Sequence, residues 1–377
     1  MNKELNPFVT VGYASEKYFC DREQELNILE RCMKNEVNVT LISNRRLGKS
    51  ALIYRLFERL EHENFICIYT DIYASQNLKD FTEALALTIF KRFPEKKGFG
   101  KRFLDVLKGF RPVITYNVLS SEPEIHFEFT RSEECEHTLR SIFLFLDSQQ
   151  VKVVLAIDEF QQVLNYPETN TEALLRTIIQ TLKNSQFIFS GSKKHLMLEM
   201  FNTADRPFFS STQMLGLQEI PEMKYKQFIH EKFEERNRTI DDEAVDFVLS
   251  WTLSHTFYTQ VICNNMFARP EKNITQDVAK QVCSEQLSLQ QVTYMQYRSL
   301  LAPVQWRLLI AIAKEGQVSE IQAQTFLHKY KVGGASSAKK ALDALLEKEM
   351  ICTIETPEKT FFRVYNVFLL RWLDATF

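Results

Sequence analysis

Up to about residue 192 the chain alternates short apolar runs with stretches of helical periodicity. VNVTLIS (37–43), FICIYTDIY (65–73), VKVVLAIDE (151–159) and QFIFSGS (186–192) are rich in β-branched and aromatic residues. Helix-like sequence separates each from the next, which is the signature of β-α-β units feeding a parallel sheet. DREQELNILERCMK (21–34) predicts an amphipathic helix with Asp21 as N-cap and Leu26, Leu29 and Met33 on the face turned to the sheet. Residues 94–130 break this rhythm and read as an insertion. It holds a basic stretch (Lys96, Lys97, Lys101, Arg102, Lys108, Arg111), then RPVITYN and PEIHFEF, which predict a hairpin. The basic stretch reads either as a solvated helix face or as a contact for an anionic partner.

After about residue 217 strands give way to helices: EMKYKQFIHEKFEER, DDEAVDFVLSWTL, TFYTQVICNNMFA and ITQDVAKQVCSEQLS. Such a run predicts a small all-α subdomain over 218–294. From 295 the order changes again. Helices VQWRLLIAIAKEG, IQAQTFLHKYK and SAKKALDALLEKEM, the last preceded by the turn VGGASS, lead into two strands, ICTIET and TFFRVYN. Three helices and a β-wing are the order of a winged helix. The expected fold class is therefore α/β: a parallel-sheet core over 1–217, the all-α subdomain, and a C-terminal winged helix domain over 295–377.

Composition removes several function classes. With 377 residues, 45% hydrophobic and 25% charged, the chain is an ordinary globular one. A net charge of -2 argues against a surface built throughout for nucleic acid. Seven cysteines form no C-x-x-C pair, which favours free thiols over disulfides or zinc. No apolar run approaches the ~18 residues of a membrane span, and MNKELNPFVTVGY lacks a signal-peptide core, so a cytoplasmic location is expected.

The chemistry concentrates at TLISNRRLGKSALIYRL (40–56). A strand, a loop and a helix opening at Gly-Lys-Ser form the geometry in which backbone N–H groups and a helix N-terminus converge on phosphate oxygens. Residues Ser43, Asn44, Arg45, Arg46, Leu47, Gly48, Lys49, Ser50 and Ala51 are the candidate cradle. Gly48 lets the backbone approach phosphate, Lys49 reaches the outer phosphates, and Ser50 offers its hydroxyl to Mg²⁺. Ser43 stands where the phosphate-binding loop has its first glycine, a position that a small residue fills if φ stays negative. Downstream, Val153–Ile157 carry Asp158 and Glu159 at a strand end. The expected neighbour of that strand is the one leading to the loop, with Asp158 in the metal's coordination shell and Glu159 polarising the attacking water. QFIFSGS would present Ser190 or Ser192 to the γ-phosphate. Arg45 and Arg46 would lie over the phosphates or form surface ion pairs.

These residues resemble the archaeal-type ATPases of the STAND class, relatives of the AAA+ proteins. The matching stretches are FCDREQEL, SNRRLGKSALI, YTDIY, LAIDEFQQV, FIFSGS and, near the C-terminus, QWRLLIAIAKEG and VYNVFLLRWL. The resemblance implies an ATP-binding core, a helical lid, a winged helix and use of ATP as a conformational switch. It assigns Lys49 and Ser50 to phosphate and metal, Asp158 to metal, Glu159 to water activation and Ser192 to γ-phosphate sensing. Three places depart from the family pattern: Ser43, the PFFSS segment (207–211) where an arginine is expected at Ser211, and Ser254-His255-Thr256 in place of a Gly-His-Pro-like motif. Arg206 is a stand-in for the missing arginine or a structural residue. His255 senses nucleotide or is simply packed.

The expected function is that of a slow Mg²⁺-dependent ATPase acting as a switch, with ATP and Mg²⁺ as cofactors, a protein partner and nucleotide-dependent self-association. A non-hydrolysing nucleotide-bound scaffold and a DNA-binding regulator are the alternatives. Ser336, Ser337, Lys339 and Lys340 open the third helix of the winged helix as a DNA-reading helix would, but Asp343, Glu347 and Glu349 follow on it. That mixture favours docking to protein.

Overall fold

The computed structural model describes residues 6–92, 98–108, 112–116, 123–128 and 132–377. Lys96, Lys97, the Lys108 side chain and Arg111 lie outside the described residues. The chain divides into two compact units, Val11–Glu219 and a second made of Ile220–Phe377 with the segment preceding Val11.

In the first unit, chain order is α1 (Glu23–Lys34), β1 (Val39–Ile42), α2 (Lys49–His62), β2 (Ile66–Asp71), α3 (Leu78–Arg92), α4 (Gly98–Lys108), β3 (Pro112–Tyr116), β4 (Pro123–Phe127), α5 (Ser132–Asp147) and β5 (Val153–Asp158). Then come a 3-10 turn (Phe160–Asn165), α6 (Thr171–Ile179), β6 (Ser185–Gly191), α7 (Lys194–Asn202) and β7 (Gln213–Gly216). Five parallel strands form the sheet in the order β2-β5-β6-β1-β7. The predicted hairpin is present as the antiparallel pair β3 and β4, while Lys101 and Arg102 are exposed on α4.

Period-2 alternation sorts the central strands onto two faces. Val154, Ala156 and Ile188 pack with Leu26, Leu29 and Met33 of α1 and Leu52, Leu56 and Leu60 of α2. Val153, Leu155, Ile157, Phe187 and Phe189 pack on the other side with Phe81, Leu85 and Ile89 of α3 and Leu139 and Phe143 of α5. Each such buried Leu, Ile or Phe contributes about 1.5–3 kcal/mol, and together they hold the strand ends that carry the polar residues.

Two expectations are corrected, and one strand was not foreseen. β5 does not lie beside β1, because β6 runs between them and pairs with both. Strands buried on both faces are apolar throughout, so their composition does not encode which of them are neighbours. Asp21 is not the N-cap of α1: Asp21 and Arg22 both have positive φ, 54° and 71°, and Arg22 occupies the cap. β7 is an added edge strand on the far side of β1.

The second unit contains α8 (Glu222–Glu234), β8 (Thr239–Ile240), α9 (Asp242–Thr252), α10 (Thr256–Phe267), β9 (Asn273–Ile274) and α11 (Gln276–Leu300). It continues with α12 (Pro303–Glu315), α13 (Gln324–Tyr330), α14 (Ala335–Glu347), β10 (Ile351–Glu355), β11 (Thr360–Val364) and α15 (Val367–Thr376). The helical part is not wholly α, since β8 and β9 form a two-residue parallel pair. The wing is the antiparallel pair β10 and β11. Phe8 is fully buried within 5.7–6.1 Å of the rings of Phe228, Phe233 and Phe267. Asn6 Nδ2 donates to the Asn264 carbonyl at 3.0 Å and Asn264 Nδ2 to the Phe8 carbonyl at 2.7 Å. Helix α15 binds α9 and α10 through Phe368, whose ring is 5.7 Å from Trp251 and 4.8 Å from Tyr258. Its Arg371 donates to the carbonyls of Trp251 and Ser250 at 2.8 and 2.9 Å, where α9 leaves orphan acceptors. Among the described residues no helix is long and apolar enough to cross a membrane.

Candidate functional site

Strand β1 is buried at all four residues and ends at Ile42, so the chain must turn out of the sheet at Ser43. Ser43 is not among the residues with positive φ, whereas Arg46 (64°) and Gly48 (97°) are. A glycine is therefore required at 48, where the loop turns into α2, and not at 43. Ser43 Oγ donates to the Asn44 carbonyl at 2.7 Å. Leu47 is buried, and its carbonyl accepts from Arg22 at 3.4 Å. Asn44, Arg45, Gly48, Ser50 and Ala51 are partly exposed and Arg46 is exposed.

Lys49 is 7% exposed. Its amine donates to Ser43 Oγ at 3.2 Å and to the carbonyls of Ser43 and Asn44 at 3.4 and 3.5 Å. Among the described residues no carboxylate lies within ion-pairing distance of it. Burial pushes its ammonium below the usual lysine range, the negative charges of Asp158 and Glu159 partly offset this, and Arg45 adds to it. A cation drawn out of water without a partner anion is costly.

The acidic pair meets the loop across β6. Ser50 Oγ donates to Asp158 Oδ2 at 3.1 Å. Tyr69, from β2, donates to the same oxygen, and its hydroxyl lies 3.2 Å from Ser50 Oγ. Glu159 has φ 55°, a left-handed conformation that costs a non-glycine residue roughly 1–2 kcal/mol. Its Oε2 accepts from Ser192 Oγ at 2.8 Å and from Gln161 Nε2. Arg45 Nε donates to Ser192 Oγ at 3.3 Å, which closes a path from loop to β6 to β5. Ser190, the other candidate on β6, is fully buried with no hydrogen-bond partner for its hydroxyl. Ser192 is thus the serine brought to the site.

Two predicted residues stand apart from this set. Arg206 pairs with Glu172 of α6 at 3.3 Å and Glu199 of α7 at 3.2 Å, and none of these bonds joins it to the loop. His255 belongs to the other unit, where it is the N-cap residue of α10, 7% exposed and 4.7 Å from the Tyr258 ring. Conversely, Arg22, Tyr69, Asp71 and Gln161 were not singled out from sequence. Asp71 ends β2 in register with Asp158. Burial raises its carboxyl, the Tyr73 N–H opposes that, and Asp158 and Glu159 push it further up.

The donor set fits a magnesium-bound triphosphate: a hydroxyl and a carboxylate 3.1 Å apart, and beside them a buried amine without a counter-anion. A family of ATPase domains found predominantly in Archaea matches residues 19–255 of the chain. The chain belongs to that family. Residues 292–375 match a further family described as "probable winged helix domain". Among solved structures, a Walker-type ATPase of Pyrococcus abyssi is 17% identical with a TM-score of 0.66, over 97% of this chain and 99% of that one. The Aeropyrum pernix ORC2 protein in its ADPNP-ADP complexes is 13% identical with a TM-score of 0.56, over 99% and 97%. The Aeropyrum pernix ORC1 protein in complex with DNA is 13% identical with a TM-score of 0.52, over 98% and 94%. At these identities the likeness to this ATPase-family chain is one of fold. No curated protein matches it.

Proposed function

We propose that the chain binds Mg·ATP at residues 43–51, hydrolyses it slowly and works as a nucleotide-controlled switch of the STAND class. In this reading the core (1–217) holds the nucleotide, the helical segment (218–294) acts as lid and the winged helix (295–377) meets a protein partner. Ser50 and Asp158 hold the magnesium, Lys49 and the loop amides hold the phosphates, and Glu159 activates water while Ser192 contacts the γ-phosphate. The observation that carries the reading is the 3.1 Å approach of Ser50 Oγ to Asp158 Oδ2, next to a buried Lys49 with no carboxylate partner. Magnesium when bound supplies charge neutralisation on the phosphates. The chain's own residues supply orientation and the proton acceptor.

Calorimetric titration with Mg·ATP and a phosphate-release assay test this. Lys49→Ala is expected to weaken ATP binding about 10- to 100-fold, the loss of one charge-assisted bond of roughly 1.5–3 kcal/mol. Glu159→Gln is expected to keep binding and lose turnover by about 100-fold or more. Unchanged ATP affinity in Lys49→Ala would refute the site.

One observation favours a second reading, the non-hydrolysing scaffold. The arginine nearest the family's missing one, Arg206, is already occupied by Glu172 and Glu199. Tight binding with phosphate release at the buffer blank would select it. A DNA-binding role for the winged helix is weaker, because the exposed Lys339 and Lys340 of α14 share that helix with exposed Asp343 and Glu347.

A further inference from the structure

The motif LAIDEFQQV contains a buried amide that the nucleotide chemistry above does not use. Gln161 is 4% exposed. Its Nε2 donates to Glu159 Oε2, the oxygen that also accepts from Ser192, while its own Oε1 is buried without a hydrogen-bond partner. Leaving a buried carbonyl unmatched costs about 1–3 kcal/mol, and the alternative amide orientation would aim that carbonyl at a carboxylate. The amide is also confined sterically. A Cβ built on Gly191 would lie 2.4 Å from Gln161 Oε1 and 2.6 Å from Met197. The space over the end of β6 is thus filled by this side chain, and a bare glycine is what admits it.

From this geometry we infer that Gln161 is a positioning residue for Glu159: its fixed amide holds the carboxylate in one orientation above the strand ends. Two donors meet on Oε2, one from a side chain locked by packing and one from Ser192, which Arg45 of the loop also contacts. When a terminal phosphate draws the Ser192 hydroxyl away, Gln161 keeps Glu159 from swinging off with it. Oε1 of Glu159 is then the atom that takes the proton of an attacking water. The inference rests on the proposed hydrolysis and adds a residue to it.

The test is a double-mutant cycle on the full chain. Gln161→Met conserves volume and removes the donor, and thermal melts confirm the fold. Phosphate release is expected to fall about 10- to 100-fold in kcat, the scale of a misplaced catalytic group, with KM and ATP affinity within about twofold. In a Glu159→Gln background the same change is expected to have no further effect, which a merely structural role would not give. Gly191→Ala, which presses on the amide from the other side, is expected to lower kcat in the same manner. A wild-type chain that turns over ATP with Gln161→Met equally active overturns the inference alone, as does an effect of equal size in both backgrounds. A wild type that binds ATP without turnover overturns both the proposed hydrolysis and this inference.

Discussion

Ser50 Oγ and Asp158 Oδ2 are 3.1 Å apart although the strands they depend on, β1 and β5, are separated by β6. The start of α2 therefore reaches over a whole strand to meet the acidic pair. If this contact marks the magnesium position, Asp158→Asn removes charge from the metal and not from the phosphates. Mg·ATP affinity is expected to fall by at least about tenfold, with ATP in EDTA bound as in the wild type, both read by calorimetry.

Lys49 opposes the fold that contains it. Its ammonium is buried beside a hydroxyl and two carbonyls, the charges of Asp158 and Glu159 offset its desolvation only in part, and replacing it with an apolar side chain of similar length relieves that desolvation. Lys49→Met is expected to stabilise the nucleotide-free protein by about 1 kcal/mol, roughly a 2 °C rise in Tm, while abolishing the stabilisation that added Mg·ATP gives the wild type. Differential scanning fluorimetry with and without nucleotide reads both halves. A lower Tm in the nucleotide-free variant would contradict this account of Lys49.

Tyr69 bonds both Ser50 and Asp158. In the proposed site a metal ion held by Ser50 and Asp158 would compete with the phenol for Asp158. Tyr69→Phe is expected to destabilise the nucleotide-free protein by about 1 kcal/mol, the net worth of the lost bonds, and to tighten Mg²⁺-dependent ATP binding about two- to fivefold. Urea unfolding and calorimetry measure the two effects, and weaker Mg·ATP binding would assign Tyr69 to holding the site together instead.

Arg206 faces the carboxylates of Glu172 and Glu199. Burial raises the Glu172 carboxyl above its usual range, Arg206 holds it back, and Glu199 adds to the rise. In Arg206→Gln the restraint is lost, so the charged form of Glu172 becomes costlier in the folded state. Below the unfolded carboxyl range Glu172 is protonated either way and the variant resembles the wild type. As pH rises through the raised folded value the deficit grows to about 1 kcal/mol. Urea unfolding at pH 4 and pH 7.5 tests the sign. Unaltered ATP turnover in the same variant would show that Arg206 is structural.

How far the sequence could be read depended on how local the signal was. The turn from strand to helix at Gly48-Lys49-Ser50 was legible because a strand, a loop and a helix start lie within a few consecutive residues. All four predicted strands appear, three trimmed at their ends and β6 shifted by one residue; β1, β5 and β6 are buried along their whole length, and β2 is partly exposed. Their neighbours were not legible, since β1 and β5 are equally apolar and only the tertiary pairing places β6 between them. β7 is four residues long and only partly covered, so it carried no burial signal. Gln161 and Tyr69 look like ordinary polar residues in the chain. Their importance comes from which oxygen atoms they reach, and a left-handed turn at Glu159 and strand pairing decide that.

Helix α11 runs unbroken from Gln276 to Leu300, about 37 Å at 1.5 Å per residue. The sequence places a subdomain border at 294–295, yet the backbone there is continuous helix, and α15 is bolted to α9 through Arg371 and Phe368. A rod of this kind has no joint at the border. Labels placed on α9 and on β11 are therefore expected to report the same motion at the same rate.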